Sequence, residues 1–185
     1  MLFCSERCEV FLHNPKAAGT SVTEWLAKSH AYVPAVEALE APVNATDEPN
    51  GIIWRHTWIV PAEYRRWRIW CVVREPLERW GSFYNYSRRW IPNSDIGFDT
   101  FTASRLDWLP KQTNYANVAS DCIRFESLNE GLTRLGLAKG LDELPHRNST
   151  GEAVPWTNFT RRLVVDHFRE DFEELGYPRP EIDAA

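Results

Sequence analysis

Short apolar runs alternate with amphipathic stretches over most of the chain. Val10, Phe11 and Leu12 form a run of the kind that a buried parallel strand shows. From Gly19 onward, Val22, Trp25 and Leu26 take helical i, i+3, i+4 spacing, so a strand leads through a short loop into a helix. Further strands are predicted at 52–54, 69–73 and 122–125, with a helical turn over 61–67. A helix is predicted from Pro76, a favoured first position, to about residue 90, with Leu77, Trp80, Phe83 and Tyr84 on its apolar face. Pro92 stops it, and shorter helices are predicted at 98–106 and 128–135. The last helix carries the clearest pattern: Leu163, Val164, His167, Phe168, Phe172 and Leu175 line one face of a single element that Gly176 closes. Residues 33–50, rich in Ala, Pro and acidic side chains, lack a period and predict a long excursion, and 144–155 reads as a polar loop. Strands alternating with helices predict an α/β domain with a parallel sheet covered on both faces. By length the chain is one domain, residues 1–185, large enough to bury a real core.

Within this pattern the stretch FLHNPKAAGTS, residues 11–21, carries the most chemistry. The helix that starts at Gly19 turns its first N–H groups toward the preceding loop, and such an end attracts anions. Thr20 and Ser21 add hydroxyl donors, Gly19 permits close backbone approach, and Lys16 supplies a mobile positive charge. Together they suit a phosphate or phosphosulfate group. A Walker A loop is excluded, because the lysine lies three residues before the glycine and Asn14 stands where the first glycine would fall. The alternative is an ordinary strand-to-helix connection with a solvated lysine.

Composition sharpens this reading mainly through charge. The net charge is −5, with three basic against seven acidic residues in 1–50 and four against eight in 151–185. Residues 51–100 reverse the balance at eight against five. A basic centre in an acidic chain suits a local anion site and argues against a nucleic-acid partner. Cys4, Cys8, Cys71 and Cys122 lack metal-ligand spacing and read as free thiols, mostly buried, in a reducing cytosol. No stretch approaches the roughly 18 apolar residues of a membrane span, and no basic-then-apolar signal opens the chain. The expectation is a cytoplasmic protein with no membrane partner.

A second candidate anchor follows the strand predicted at 69–73. Arg74 ends that strand, and Ser82 lies eight residues on, in the next helix. An arginine there can grip a phosphate with its planar fork; alternatively it pairs with Glu75 or Glu78. Lys16, His56 and Arg74 each follow a predicted strand, and ligands of parallel sheets bind beyond the strands' carboxyl ends.

PKAAGTS at 15–21 resembles the 5′-phosphosulfate loop of sulfotransferases that use 3′-phosphoadenosine 5′-phosphosulfate (PAPS). VVREPLERWGSFY at 72–84 resembles their 3′-phosphate motif. RHTW at 55–58, LPHRNST at 144–150 and DFEELGY at 171–177 are similar to stretches of the carbohydrate-sulfating branch. The resemblance covers roughly residues 9–177 in order, with Ala17 where the family often carries threonine and no recognisable glycine-rich carboxyl-terminal motif.

The resemblance implies a P-loop-like three-layer α/β/α sandwich with a central parallel sheet, and transfer of a sulfuryl group from PAPS to an acceptor hydroxyl or amine, with PAP as product and no metal. It assigns Lys16 to the transferring group, Ala18, Gly19, Thr20 and Ser21 to the 5′-phosphate, and Arg74 and Ser82 to the 3′-phosphate. His56 matches the catalytic histidine, and its unperturbed pKa near 6.5 suits a general base. His13 is second choice as base, His146 a further contact, and His167 part of a packed face.

Of nine tryptophans, Trp54, Trp58, Trp90, Trp108 and Trp156 fall in or near loops, where flat faces suit a carbohydrate or other small-molecule acceptor. Trp25, Trp67, Trp70 and Trp80 fall in apolar patterns and are expected in the core. The rival readings are a P-loop-like nucleotide kinase, which needs a Walker lysine and magnesium, and a non-catalytic nucleotide-binding protein. A nucleic-acid module is the weakest.

Overall fold

The computed structural model describes residues 1–34, 56–90 (Trp90 by backbone alone), 96–145 and 153–182. The strand predicted at 52–54, Trp54, Arg55, Pro92, His146 and most of the 144–150 motif lie outside the described residues. The chain is mixed α/β and divides into two compact units, Met1–Val73 with Asn114–Arg147, and Arg74–Thr113 with Asn148–Ala185.

The first unit holds a five-stranded sheet in the order β3-β1-β2-β4-β5. Its strands are β1 (Leu2–Cys4), β2 (Glu9–Leu12), β3 (Val33–Pro34), β4 (Arg68–Val73) and β5 (Asp121–Arg124). β2, β4 and β5 pair in parallel, whereas β1 is antiparallel to both β2 and β3, so four of the five strands run the same way. The reversed strand β1, which lies between β3 and β2, departs from the expected parallel sheet. It arises from a tight hairpin in which Cys4 pairs with Glu9 and the turn residue Cys8 takes φ 51. A cysteine in a left-handed turn position gives no Gly or Asn punctuation for a sequence reading to use.

Helices α1 (Gly19–Ser29) and α5 (Leu128–Arg134) pack on the sheet. Val22, Trp25 and Leu26 of α1 and Leu132 of α5 share one buried cluster with Phe11, Trp70, Val72 and Ile123 of the strands. α5 sits so close to β5 that a Cβ on Gly131 would lie 2.2 Å from Ile123 Cγ2. At the amino end of β2 the buried Glu9 accepts both prongs of Arg7, at 2.9 and 3.0 Å, and the hydroxyl of Tyr32. Burial, then that hydrogen bond, pushes the Tyr32 hydroxyl well above the ordinary tyrosine range.

The second unit is helical: α2 (Pro76–Trp90), α3 (Phe98–Arg105), α6 (Asn158–His167) and α7 (Arg169–Glu174), while the short α4 (Thr113–Ala116) begins at its border. Trp80 is its fully buried centre, in ring contact with Phe83, Phe101 and Phe168, and its indole N–H donates to Thr102 Oγ1 at 3.0 Å. The expected single last helix is two. Thr157 and Thr160 cap α6 reciprocally, and the backbone leaves helical values at Phe168, with φ −98 and ψ 28. Hydrogen bonding resumes with Phe172 N–H to Phe168 C=O at 3.2 Å, so Val164, Phe168 and Phe172 are all buried and the periodicity runs through the break. Gly176 follows with φ 66, the left-handed closure expected of it.

Trp25, Trp70 and Trp80 are buried as expected. Trp67 is only half-buried; it directly precedes β4 and packs against the rings of Phe3 and Tyr64. Trp58 and Trp108 are exposed. The four cysteines are free thiols, with Cys71 and Cys122 opposite one another on β4 and β5 and their Sγ atoms 3.7 Å apart. Cys8 is exposed and Cys122 half-buried, so burial of the thiols is not general. Among the described residues no helix is long and apolar enough to cross a membrane.

Candidate functional site

β2 ends at Leu12, and the chain turns at once: Asn14 N–H donates to Leu12 C=O at 3.0 Å. The Asn14 side-chain amide reaches across to Val72 C=O at 2.9 Å, tying the start of the loop to the carboxyl end of β4. Asn14 thus has a structural task at the position where a Walker loop has its first glycine. The loop then passes through two left-handed residues, Lys16 with φ 65 and Ala18 with φ 59. Neither is glycine, and each such conformation costs on the order of 1–3 kcal/mol. A turn of this kind directs successive N–H groups to one side, as anion-binding loops do. Ala17, between them, is fully buried in the hydrophobic cluster, so its methyl is a packing group.

Helix α1 begins at Gly19 with no acidic residue in its first turn. Its first i→i−4 bond is Val22 N–H to Ala18 C=O at 3.0 Å, and the N–H groups of Gly19, Thr20 and Ser21 lie ahead of it. The donor set from Lys16 to Ser21 fits an anion: one ammonium, two hydroxyls, a helix start and no carboxylate between positions 14 and 21. Gly19 is required for a second reason. A Cβ there would lie 2.0 Å from His13 Cδ2 and 2.1 Å from Nε2.

His13 is buried behind the loop, with its Nδ1 3.4 Å from Thr23 Oγ1, and its ring meets the His56 ring edge-on at 4.7 Å between centroids. His56 is half-buried, and its Nδ1 faces the His13 carbonyl at 3.4 Å. A carbonyl only accepts, so this long contact calls for a proton on Nδ1 and leaves Nε2 of a neutral imidazole as the basic nitrogen. Tyr115, fully buried, donates its hydroxyl to His56 C=O at 2.6 Å, while the exposed Trp58 meets its ring edge-on at 5.4 Å. The first unit therefore brings Lys16, Ala18, Gly19, Thr20 and Ser21 onto one loop and helix start, with His13 packed against Gly19 and His56 against His13.

In the second unit Arg74 is the residue that follows β4, and Glu75 opens α2 by accepting Glu78 N–H on its carboxylate at 2.7 Å. Arg74 Nη2 reaches Glu78 Oε2 at 3.4 Å, so the Glu78 pairing considered from sequence is present. Ser82 lies within α2, half-buried. Both ends of the Arg74 backbone are held by one side chain: Gln112 Oε1 accepts Arg74 N–H at 2.8 Å, and Gln112 Nε2 donates to Arg74 C=O at 2.7 Å.

No protein-family model, curated protein or solved structure matches the chain. The functional reading accordingly rests on the motifs and on where they fall in the fold.

Several residues of this machinery carry no signal a sequence reading used. Asp171 is fully buried and accepts Gln112 N–H at 3.0 Å and Thr113 N–H at 3.1 Å, and its Oδ2 lies 3.8 Å from Arg79 Nη1. Arg79, buried too, donates to Pro110 C=O at 2.8 Å. The motif at 72–84 and the motif at 171–177 are thus joined inside one unit by a buried ion pair. A charged residue in each motif, Arg79 within the first and Asp171 at the start of the second, was the only clue. His167, expected on a packed face, is half-buried, and burial lowers its pKa below the ordinary histidine value.

Proposed function

We propose that this protein is a PAPS-dependent sulfotransferase with a P-loop-like α/β/α fold. The observation that carries the proposal is the backbone of the 13–19 loop. It leaves the carboxyl end of a parallel strand, passes through left-handed Lys16 and Ala18, and enters a helix start free of acidic residues. That is the context in which a phosphosulfate-loop motif acquires meaning. PAPS, when bound, supplies the sulfuryl group and leaves as PAP.

The roles of the chain's own residues follow from their chemistry. Gly19, Thr20 and Ser21 hold the 5′-phosphate at the helix start. Lys16 places its ammonium at the oxygens where negative charge grows during transfer. Arg74 and Ser82 take the 3′-phosphate, Arg74 exchanging its contact with Glu78 for a stronger one to a dianion. His56 accepts the acceptor's proton at Nε2, its Nδ1–H being directed to the His13 carbonyl. Positioning and charge stabilisation supply most of the rate, as in phosphoryl transfer.

For the acceptor we favour a carbohydrate hydroxyl, because the exposed Trp58 stands two residues from His56 and offers a flat apolar face. The free thiols, including the Cys71–Cys122 pair, suit a reducing, cytoplasmic setting. The test is transfer of radiolabelled sulfate from PAPS to a panel of saccharides with magnesium chelated. Label in saccharide, with PAP formed in equal amount, is the expected result. Strictly magnesium-dependent phosphate transfer from ATP would replace this reading with the kinase.

A further inference from the structure

We propose that Gln112 is the positioning residue of the 3′-phosphate grip, acting through Arg74; the inference rests on the assignment of Arg74 to that phosphate. Arg74 comes immediately after β4, where regular strand pairing has ended. Its N–H and C=O would ordinarily be met by a neighbouring strand. Here a single buried side-chain amide meets both, at 2.8 and 2.7 Å, and so substitutes for one residue of a strand. A buried amide is costly unless its groups are bonded, and these two end on one residue. The effect is to fix both peptide planes of Arg74 and hence the direction in which its guanidinium leaves the backbone.

Gln112 is itself fixed from behind. Its N–H and that of Thr113 both end on Asp171, and Asp171 and Pro110 C=O are the partners of Arg79. Residues 110–113 are therefore held at both ends by a buried ion pair, and Gln112 is where that rigidity is passed to the anion-binding arginine. Leucine at position 112 would fill similar space but leave both polar groups of Arg74 without this partner. Asparagine is one methylene short of the same reach.

The test compares calorimetric affinities for PAP and AMP, which differ only in the 3′-phosphate. In Gln112→Ala the PAP affinity is expected to fall about tenfold, the scale of one charge-assisted contact, with AMP affinity unchanged within about twofold. In an Arg74→Ala background, removing Gln112 is expected to change PAP affinity no further. A merely structural glutamine would weaken both nucleotides alike and would still matter without Arg74. Gln112→Glu, which keeps an acceptor for Arg74 N–H but loses the donor to its C=O, reads the same ratio if the alanine variant does not fold. A PAP-to-AMP ratio unaltered by these changes, in a wild type that prefers PAP, overturns the role of Gln112 alone. A wild type with no preference for PAP overturns the 3′-phosphate assignment, and this inference with it.

Discussion

Replacing His56 by alanine is expected to lower the turnover of sulfuryl transfer by roughly 10²–10⁴-fold, the usual contribution of a positioned general base, with PAP affinity nearly intact. The size follows from what the imidazole does. The acceptor hydroxyl is a poor nucleophile until its proton leaves, and Nε2 is the nitrogen the surroundings leave basic, because Nδ1 faces the His13 carbonyl. The imidazole is held through its backbone by Tyr115 and edge-on by the His13 ring, contacts that orient it. His56→Gln retains a polar side chain but no group that titrates near neutrality, so it should be as inactive as alanine. Single-turnover kinetics with labelled PAPS measures the effect. Retained turnover in both variants would remove His56 from the mechanism and direct attention to His13.

Lys16→Ala is expected to cost about 10²–10³-fold in the transfer step, the range seen when one donor to a developing oxyanion is removed. Ground-state affinity for PAP should fall less, since most of the charge that Lys16 meets appears only in the transition state. Lysine at this position occupies a left-handed backbone, φ 65, that residues carrying a Cβ tolerate poorly and glycine well. Lys16→Gly therefore relieves strain while removing the ammonium. The combination of raised thermal stability and lost transfer would separate a catalytic lysine, maintained at a cost in stability, from a solvated loop residue. The measurements are a melting curve and the single-turnover rate of each variant.

Much of the fold was legible because burial leaves a period. The runs around Phe11, Trp70 and Ile123 and the apolar faces of α1, α2 and α5 follow from alternation and i, i+3, i+4 spacing. The β1–β2 hairpin was not legible, since β1 is three residues long and its turn uses Cys8 at φ 51. Nor was the break at Phe168, where one residue leaves helical values without Gly or Pro and the buried face continues. At the candidate site, Lys16 to Ser21 and Arg74 could be named from the motifs, because anion binding uses few residue types in tight spacing. The supporting residues Asn14, Tyr115, Gln112 and Asp171 could not. Their partners are backbone groups 38 to 59 residues away in sequence, and such pairings leave no local pattern.

The account depends most directly on whether the chain recognises a 3′-phosphate. Calorimetric titration of the wild type with PAP, AMP and ATP in the absence of magnesium measures this, with Arg74→Ala as the control. Because each charge-assisted contact contributes about 1.5–3 kcal/mol, PAP is predicted to bind at least roughly tenfold more tightly than AMP, and Arg74→Ala to abolish that preference. Equal affinity for PAP and AMP, or tighter binding of ATP, would contradict the assignment of both anion sites to one PAPS molecule.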